Sequence, residues 1–189
     1  MFHLGAPAQH GLLTGDRGRL ATLAGLSPAA AQAVGTALEM IEALDGQINA
    51  LRHQLRAFAA RQPGCRALQH EYGIGGLTSV VIWCELGDTR RFSSSADAVR
   101  HTGLDVTIYS SDNKRGRAHL ARQGPPLLRW ALYEAAMCAS RPASPDHAYF
   151  TTVADRLGTK RAVMSVARKL ARRCHHRLRG LGDAAFAEI

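Results

Sequence analysis

The chain has 189 residues, a formal net charge of +9 and a pI near 10.1. This length suits one domain with a core and an appendage, and it is short for two full domains. Apolar residues make up 46% of the chain and aromatic residues only 6%, so Ala, Leu and Val dominate the core material, which favours helices. No stretch reaches the roughly 18 apolar residues of a membrane span, and no secretory signal pattern opens the chain. We therefore expect a cytoplasmic protein.

The positive charge lies mainly after residue 62. Residues 1–62 hold 5 Arg and 4 acidic residues, giving +1, whereas residues 63–189 hold 19 Lys and Arg and 11 acidic residues, giving +8. Such an excess suggests a polyanion partner, although a basic protein without one can have the same balance.

Cysteine and histidine usage gives no sign of a metal. The four cysteines are far apart and form no CxxC pair, which favours reduced thiols over a zinc knuckle or a disulfide scaffold. Adjacent His175 and His176 face different directions on a helix, and no carboxylate or thiol set accompanies them. We therefore predict no metal site and no cofactor in this chain. The cysteines are Cys65, Cys84, Cys138 and Cys174.

Residues 1–26 are predicted to be a glycine-rich lead-in with room for one short helix over 17–24. A long helix then begins at Ser27, an N-cap residue that is followed by Pro28 in the first helical position. It ends near Gln62, where Pro63 and Gly64 stop it. The segment 27–62 is thus one predicted helical unit.

Within this long helix, apolar residues recur every seven positions in two rows. This pattern is typical of a two-stranded coiled coil, so we expect a homo-oligomer formed through it. The alternative is an amphipathic helix packed within its own chain, because Gly35 and Gly46 weaken the helix. The rows are Val34, Ile41, Ile48 and Leu55, and Ala37, Leu44, Leu51 and Phe58.

Residues 65–88 predict a helix-hairpin-helix motif. The glycine-rich stretch 72–76 forms its turn and the apolar stretch 77–86 its second helix. Amides at the start of that helix can hold a phosphate without reading a base. Gly73, Gly75 and Thr78 are therefore candidate nucleic-acid-binding residues. The alternative is an ordinary helical hairpin.

The remaining helices are predicted over 92–104, 127–138 and 160–181, with a loop at 141–145. Serines 93–95 cap the first of them, and the last has one apolar face and one basic face. The basic face is either solvated or a phosphate-binding surface. The fold class is all-α, with a lead-in at 1–26, a coiled-coil helix at 27–62 and a compact helical domain at 63–189.

Residues 103–129 concentrate hydroxyl and basic side chains. Glycines and two prolines interrupt this stretch, so the serines should lie on a loop or turn before a helix that opens near Pro125. Arg and Lys orient phosphate oxygens, and a serine beside them can attack phosphorus once its proton is removed. The alternative is a serine-rich solvated loop with a basic edge. The residues are Ser110, Ser111, Lys114, Arg115, Arg117, His119 and Arg122.

Three blocks of the chain, at 72–104, 109–136 and 158–173, resemble the C-terminal domain of DEDD-type insertion-sequence transposases, the bridge-RNA-guided recombinases. The order of these motifs over roughly a hundred residues makes the resemblance specific. In that family a serine acts as a DNA nucleophile, and Ser111 is its counterpart, with Asp112 where the family usually has Gly. The positions that match the motifs are Gly73, Ile74, Gly75, Glu85, Gly87, Asp88, Gly103, Leu104, Ser111 and Gly124.

The resemblance implies DNA transposition, with catalytic Ser111 forming a covalent link to a DNA phosphate. It also implies DNA as partner and guide RNA as a further candidate partner. Because they lie close to Ser111 on the same loop, the basic residues Lys114, Arg115, Arg117 and Arg122 are the candidate phosphate-binding residues. The family's four acidic residues, which bind a divalent metal such as Mg²⁺, belong to a ribonuclease-H-like domain expected upstream of this chain. We thus expect a truncated, split or fragmentary transposase that is inactive alone. The alternative is a non-enzymatic DNA-binding or dimerisation protein that regulates a full-length transposase.

Overall fold

The computed structural model describes residues 26–107, 110–111, 114–115, 119–121 and 123–187, and between 106 and 120 it describes the backbone alone. The described chain is mostly helical and starts with a long helix, which confirms the all-α prediction. Its helices are α1 (Pro28–Arg61), α2 (Pro63–Leu68), α3 (Gly76–Leu86), α4 (Ser95–Thr102), α5 (Pro126–Met137), α6 (His147–Leu157) and α7 (Thr159–Leu181). Short 3-10 helices lie at Thr89–Arg91, Cys138–Ser140 and Gly182–Phe186.

The start and end of α1 follow the sequence signals. The Ser27 hydroxyl accepts a hydrogen bond from the Ala30 amide at 3.3 Å, which confirms the N-cap. At the other end, Pro63 both stops α1 and opens α2, because its fixed φ suits a first helical position.

Packing divides the chain between His53 and Gln54, inside α1. The domain limits inferred from the sequence, at residues 27–62 and 63–189, stay a prediction. In the unit that begins at Gln54, Phe58 and Ala59 at the end of α1 pack with Cys65, Val80 and Trp83.

Helix α7 is central to the core of this second unit. It packs against α4, α5 and α6, and α5 in turn packs against α3. Burying one leucine side chain contributes about 1.5–3 kcal/mol, so these helices stabilise one another chiefly through such contacts. The largest fully buried apolar side chains include Leu68, Ile82, Leu86, Leu104, Leu128, Leu132, Leu170 and Leu178.

Two parts of the structure differ from the sequence predictions. The sequence signals predict only a loop at 141–145 before the last helix, whereas the structure also contains helix α6. The serines, expected on a loop or turn, lie instead on a two-residue strand. The strands are β1 (Val106–Thr107), β2 (Ser110–Ser111), β3 (Lys114–Arg115) and β4 (His119–Leu120).

The four cysteine thiols are free. Among the described residues, none of the helices is both long and apolar enough to span a lipid bilayer.

Candidate nucleic-acid interface

The four short strands form a ribbon, the segment between α4 and α5 that carries the two serines. Strand β1 pairs antiparallel with β4, and β2 pairs antiparallel with β3. In the second pair, Ser110 lies opposite Arg115 and Ser111 lies opposite Lys114. Directly paired Cα atoms in an antiparallel ladder are about 4.5–5.5 Å apart. The backbone therefore brings each serine next to a basic residue, while Arg117 and Arg122 lie outside the described residues.

Two glycines hold the ends of the ribbon together, and we call this contact the glycine clasp. Gly103 has φ +69°, and a Cβ there would lie 2.7 Å from the Gly124 amide nitrogen. A Cβ on Gly124 would overlap the carbonyl oxygen of His101. Neither position accepts a side chain, which gives a structural reason for both glycines.

Arg129 strengthens the clasp from the first turns of α5. Its Nη1 donates to the carbonyl oxygen of Gly124 and, at 3.5 Å, to that of Thr102. One guanidinium thus bridges the two chain segments that enter and leave the ribbon. Sequence reasoning missed this residue, because nothing local to α5 distinguishes it from an exposed arginine.

The hairpin between α2 and α3 contains the candidate residues Gly73, Gly75 and Thr78. Gly73 has φ +90°, and a Cβ on it would overlap the carbonyl oxygen of Ala135 in α5. The backbone at Gly73 therefore approaches helix α5 of the same chain closely, which explains the need for a glycine at this position. Gly75 is different, because a Cβ on it would meet nothing within 4 Å.

Thr78 caps the start of α3. Its Oγ1 accepts a hydrogen bond from the Gly75 amide at 2.9 Å and donates one to the Gly75 carbonyl oxygen at 3.0 Å. Since Gly75 is the N-cap and has no side chain, no side-chain oxygen caps the first amides of α3. The aliphatic part of Arg56 passes close to this point, with its Cγ 3.3 Å from where a Gly76 Cβ would be.

Many of the basic side chains of α7 are paired with other groups of the same chain. Arg173 and Arg177 form ion pairs with the buried carboxylate of Glu71, at 2.8 and 2.7 Å. Arg173 also donates to both oxygens of buried Asp146, and Lys169 contacts Asp146 at 3.2 Å. The hydrogen bonds from Arg173 lower the pKa of the Asp146 carboxyl.

Two further α7 arginines bind backbone carbonyl groups. Arg168 Nε donates to the Leu104 carbonyl oxygen at 2.6 Å, and Arg179 Nη1 to that of Phe92 at 2.8 Å. The basic face predicted for this helix is therefore largely a set of internal contacts. Arg172 is exposed and has no ion-pair partner among the described residues.

A groove of about 680 Å³ lies beside the hairpin. Its two arginines, Arg173 and Arg177, are the ones paired with Glu71, which also lines it. Their charge is thus largely offset before any ligand arrives.

His175 and His176 do not form part of a metal site in the described structure. Their rings meet edge to face with centroids 5.2 Å apart, and the His175 ring also contacts Phe92. Burial lowers the pKa of His175. In the described part of the chain, no three His, Cys, Asp or Glu side chains come together as metal ligands.

Comparison with known proteins gives a match that spans the hairpin and the ribbon. Residues 65–151 match the model described as "Transposase IS116/IS110/IS902 family". That range begins in α2, includes the hairpin and the ribbon, and ends inside α6. The chain is also similar to the transposase for insertion sequence element IS1111A of Coxiella burnetii (strain RSA 493 / Nine Mile phase I), with 26% identity over 131 residues. This similarity covers 67% of the chain and 36% of that protein, so the chain spans well under half the length of the curated relative it matches.

Proposed function

We propose that this chain, part of which matches the IS116/IS110/IS902 transposase family model, takes part in DNA transposition with the Ser111 hydroxyl as nucleophile. The match to this family model confirms the resemblance seen in the sequence blocks. The serine, its phosphate-binding neighbours and the guide-RNA partner are proposals that the family resemblance and the geometry support.

The observation that carries the proposal is the register of β2 and β3. It sets Lys114 opposite Ser111 and Arg115 opposite Ser110, within one short ribbon. A cation beside a hydroxyl favours loss of its proton and also attracts phosphate oxygens. We assign Lys114, Arg115 and Arg117 to the attacked phosphate, and Arg122 to the same or a neighbouring one.

The reaction we propose is displacement at phosphorus. The Ser111 oxygen forms a bond to the phosphorus of a DNA phosphodiester and gives up its proton. The bond from phosphorus to one deoxyribose oxygen breaks, and that oxygen takes up a proton. The product is a phosphoserine link and a free DNA end, and attack of a second DNA hydroxyl on that link completes strand exchange.

The glycine clasp supports this chemistry by fixing where the ribbon starts. Displacement reactions depend on holding the reacting atoms in line at close range, and small misplacements slow them strongly. Gly103, Gly124 and Arg129 join the ribbon to α4 and α5, which are both packed into the core. A rigid base is what a nucleophile on a short ribbon requires.

The hairpin supplies a second contact with DNA in this proposal. The first amides of α3 have no side-chain cap, and Gly75 leaves open space beside them. Helix N-terminal amides bind phosphate without reading the base. We propose that a backbone phosphate binds there, with Thr78 holding the turn and Gly73 fixing the hairpin on α5.

Divalent metal is not part of the chemistry that we derive for this chain. The described residues offer no acidic cluster that fits such an ion. We propose that acidic residues of a ribonuclease-H-like domain supply it when the two act together.

The test is a search for the covalent intermediate. The chain is combined with the family's ribonuclease-H-like domain, guide RNA and end-labelled DNA, and protein joined to DNA is detected on a denaturing gel. We expect the wild-type chain to form the covalent band and Ser111→Ala to bind DNA but form none. Ser110→Ala is the matched control and should retain most of the band. A covalent band that persists in Ser111→Ala would place the nucleophile elsewhere.

A second candidate function is a non-enzymatic regulator that joins a full-length transposase. The two apolar rows of α1 favour it, because Leu44, Ile48 and Leu51 are exposed on the surface. DNA binding by the wild type without any covalent band in the same assay would support this candidate over the nucleophile.

A further inference from the structure

A small pocket of about 310 Å³ lies at the root of the ribbon, between α4 and α7, and we call it the basic pocket. It is distinct from the larger groove beside the hairpin. Because Asp105 is followed directly by β1, the pocket adjoins the point where the chain enters the ribbon. Its lining residues are Ala96, Val99, Arg100, Asp105, Arg168 and Arg172.

The walls of the basic pocket carry excess positive charge. Three arginines and one carboxylate line it, which gives +2, or +1 when the ion pair of Arg100 with Asp97 outside the pocket is counted. Arg168 and Arg172 are four residues apart on α7 and therefore lie on the same face of that helix. Like charges at this spacing repel each other, and an anion between them would offset that cost.

The two α7 arginines of the basic pocket, Arg168 and Arg172, are held differently. Arg168 is half-buried and fixed by its hydrogen bond to the Leu104 carbonyl oxygen. Arg172 is exposed, and no hydrogen bond or ion pair holds it among the described residues. A fixed cation beside a free one is a suitable arrangement for a phosphate, since Arg presents several donors to its oxygens.

We propose that the basic pocket binds a backbone phosphate of the same DNA duplex whose strand Ser111 attacks. This inference rests on the proposed function, which it extends to a second anchoring point at the root of the ribbon. The larger groove is a weaker candidate, because Glu71 already pairs with its arginines.

The chain length between pocket and serine makes this arrangement possible. Residues 105 to 111 span at most about 21 Å even when fully extended, because each residue adds no more than about 3.3–3.6 Å. Phosphates follow one another every 3.4 Å along the axis for each strand of B-DNA. A single duplex that spans a few phosphate steps can therefore reach both Ser111 and the basic pocket.

The test measures how DNA affinity depends on salt. The full chain is titrated against a fluorescent duplex by anisotropy between 50 and 200 mM salt, as wild type and as Arg172→Ala. Loss of one phosphate contact should reduce the slope of log affinity against log salt by about 0.9 and weaken binding about five- to tenfold at 0.1 M salt. Arg172→Lys should keep the slope, because lysine still neutralises the phosphate. Arg172 is exposed and makes no hydrogen bond or ion pair in the described structure, so circular dichroism should show an unchanged fold.

Arg156→Ala is the matched control, because Arg156 is exposed on α6 and does not line the basic pocket. An equal loss in both alanine variants, or no loss in Arg172→Ala, would overturn the pocket while leaving the proposed function in place. Weakened binding of structured RNA with unchanged duplex DNA binding would also overturn it. A wild-type chain that binds no DNA at low salt would instead refute the proposed function itself.

Discussion

Helices α1 and α7 are both long and both carry apolar residues at helical spacing. The apolar residues of α7 are buried in the core, whereas several of those on α1 are exposed. Val166, Leu170 and Leu178 on α7 are each 1% exposed. On α1, Leu44 is 54% exposed and Leu51 is 56% exposed. An apolar row that is buried stabilises the fold, whereas one that is exposed presents a surface for another molecule.

These two helices show that hydrophobic periodicity predicts a helix but not which surface covers its apolar side. The same applies to charge, because the basic residues of α7 looked like one solvated or phosphate-binding face. Their partners, Glu71 and Asp146, are remote in sequence and become neighbours only in the folded chain. Substitutions on α7 should therefore change the stability of the fold, whereas substitutions on α1 should change self-association.

The largest contrast should come from truncating one leucine on each helix. We expect Leu170→Ala to lower the free energy of unfolding by about 2–5 kcal/mol, because it leaves a cavity in the core. Leu51→Ala should change it by less than about 0.5 kcal/mol in a single chain, because the side chain is exposed. Urea unfolding followed by circular dichroism measures both. Equal losses would show that the row on α1 is covered within its own chain.

A smaller effect should follow from removing one internal partner of α7. Asp146→Asn leaves Arg173 and Lys169 without that carboxylate, and we expect a loss of about 1–3 kcal/mol at pH 7. The pKa of Asp146 is lowered in the folded chain. Its stabilising contribution is therefore full above the unfolded pKa near 3.9 and is lost as the pH falls through the lower folded value.

Unfolding curves at pH 7 and at several pH values below 4 test this linkage. The wild type should lose stability on acidification more steeply than Asp146→Asn. Asp155→Asn, at an exposed position on α6, is the control and should follow the wild type. Parallel curves for wild type and Asp146→Asn would contradict the assignment.

Substitutions in the heptad seam of α1 should have the smallest effect on the stability of a single chain. They should nevertheless abolish self-association. Replacing Ile41 and Ile48 by Asp puts carboxylates into the heptad seam, and burying them between two copies is costly. We expect the wild type to self-associate and this variant to be monomeric by light scattering. Asp at Ala43 and Ala50 has the same spacing but lies off the seam, so it should leave the assembly intact. A monomeric wild type would refute self-association.

Sequence signals gave the helix ends where capping chemistry is local. Ser27, Pro28 and Ser94 each act within a few residues of their own position, so the starts of α1 and α4 were predictable. Helix α6 was missed because its stretch of threonine, valine and aromatic residues has modest helix propensity. Burial of Phe150 and Val153 against the core supports it instead.

For the candidate site, the sequence predicts which residue types take part but not how they are arranged in space. Ser111 and the basic residues after it could be named from composition and from family resemblance. Two-residue strands are too short to show alternation, so the register that sets Ser111 opposite Lys114 was not readable. Arg129 and the basic pocket were also missed, because they depend on the packing of α4, α5 and α7.

The glycine clasp has a consequence for how this chain can vary. Because Gly103 and Gly124 touch, the segment between them starts and finishes at one place on the helical scaffold. Doubling the length of a flexible loop with fixed ends costs only about 0.6 kcal/mol in closure entropy. Insertions or deletions between residues 106 and 120, beyond the buried Leu104, therefore leave the helical core thermodynamically almost untouched. The part of the molecule that bears the serine can change its reach and its chemistry independently of the part that folds it.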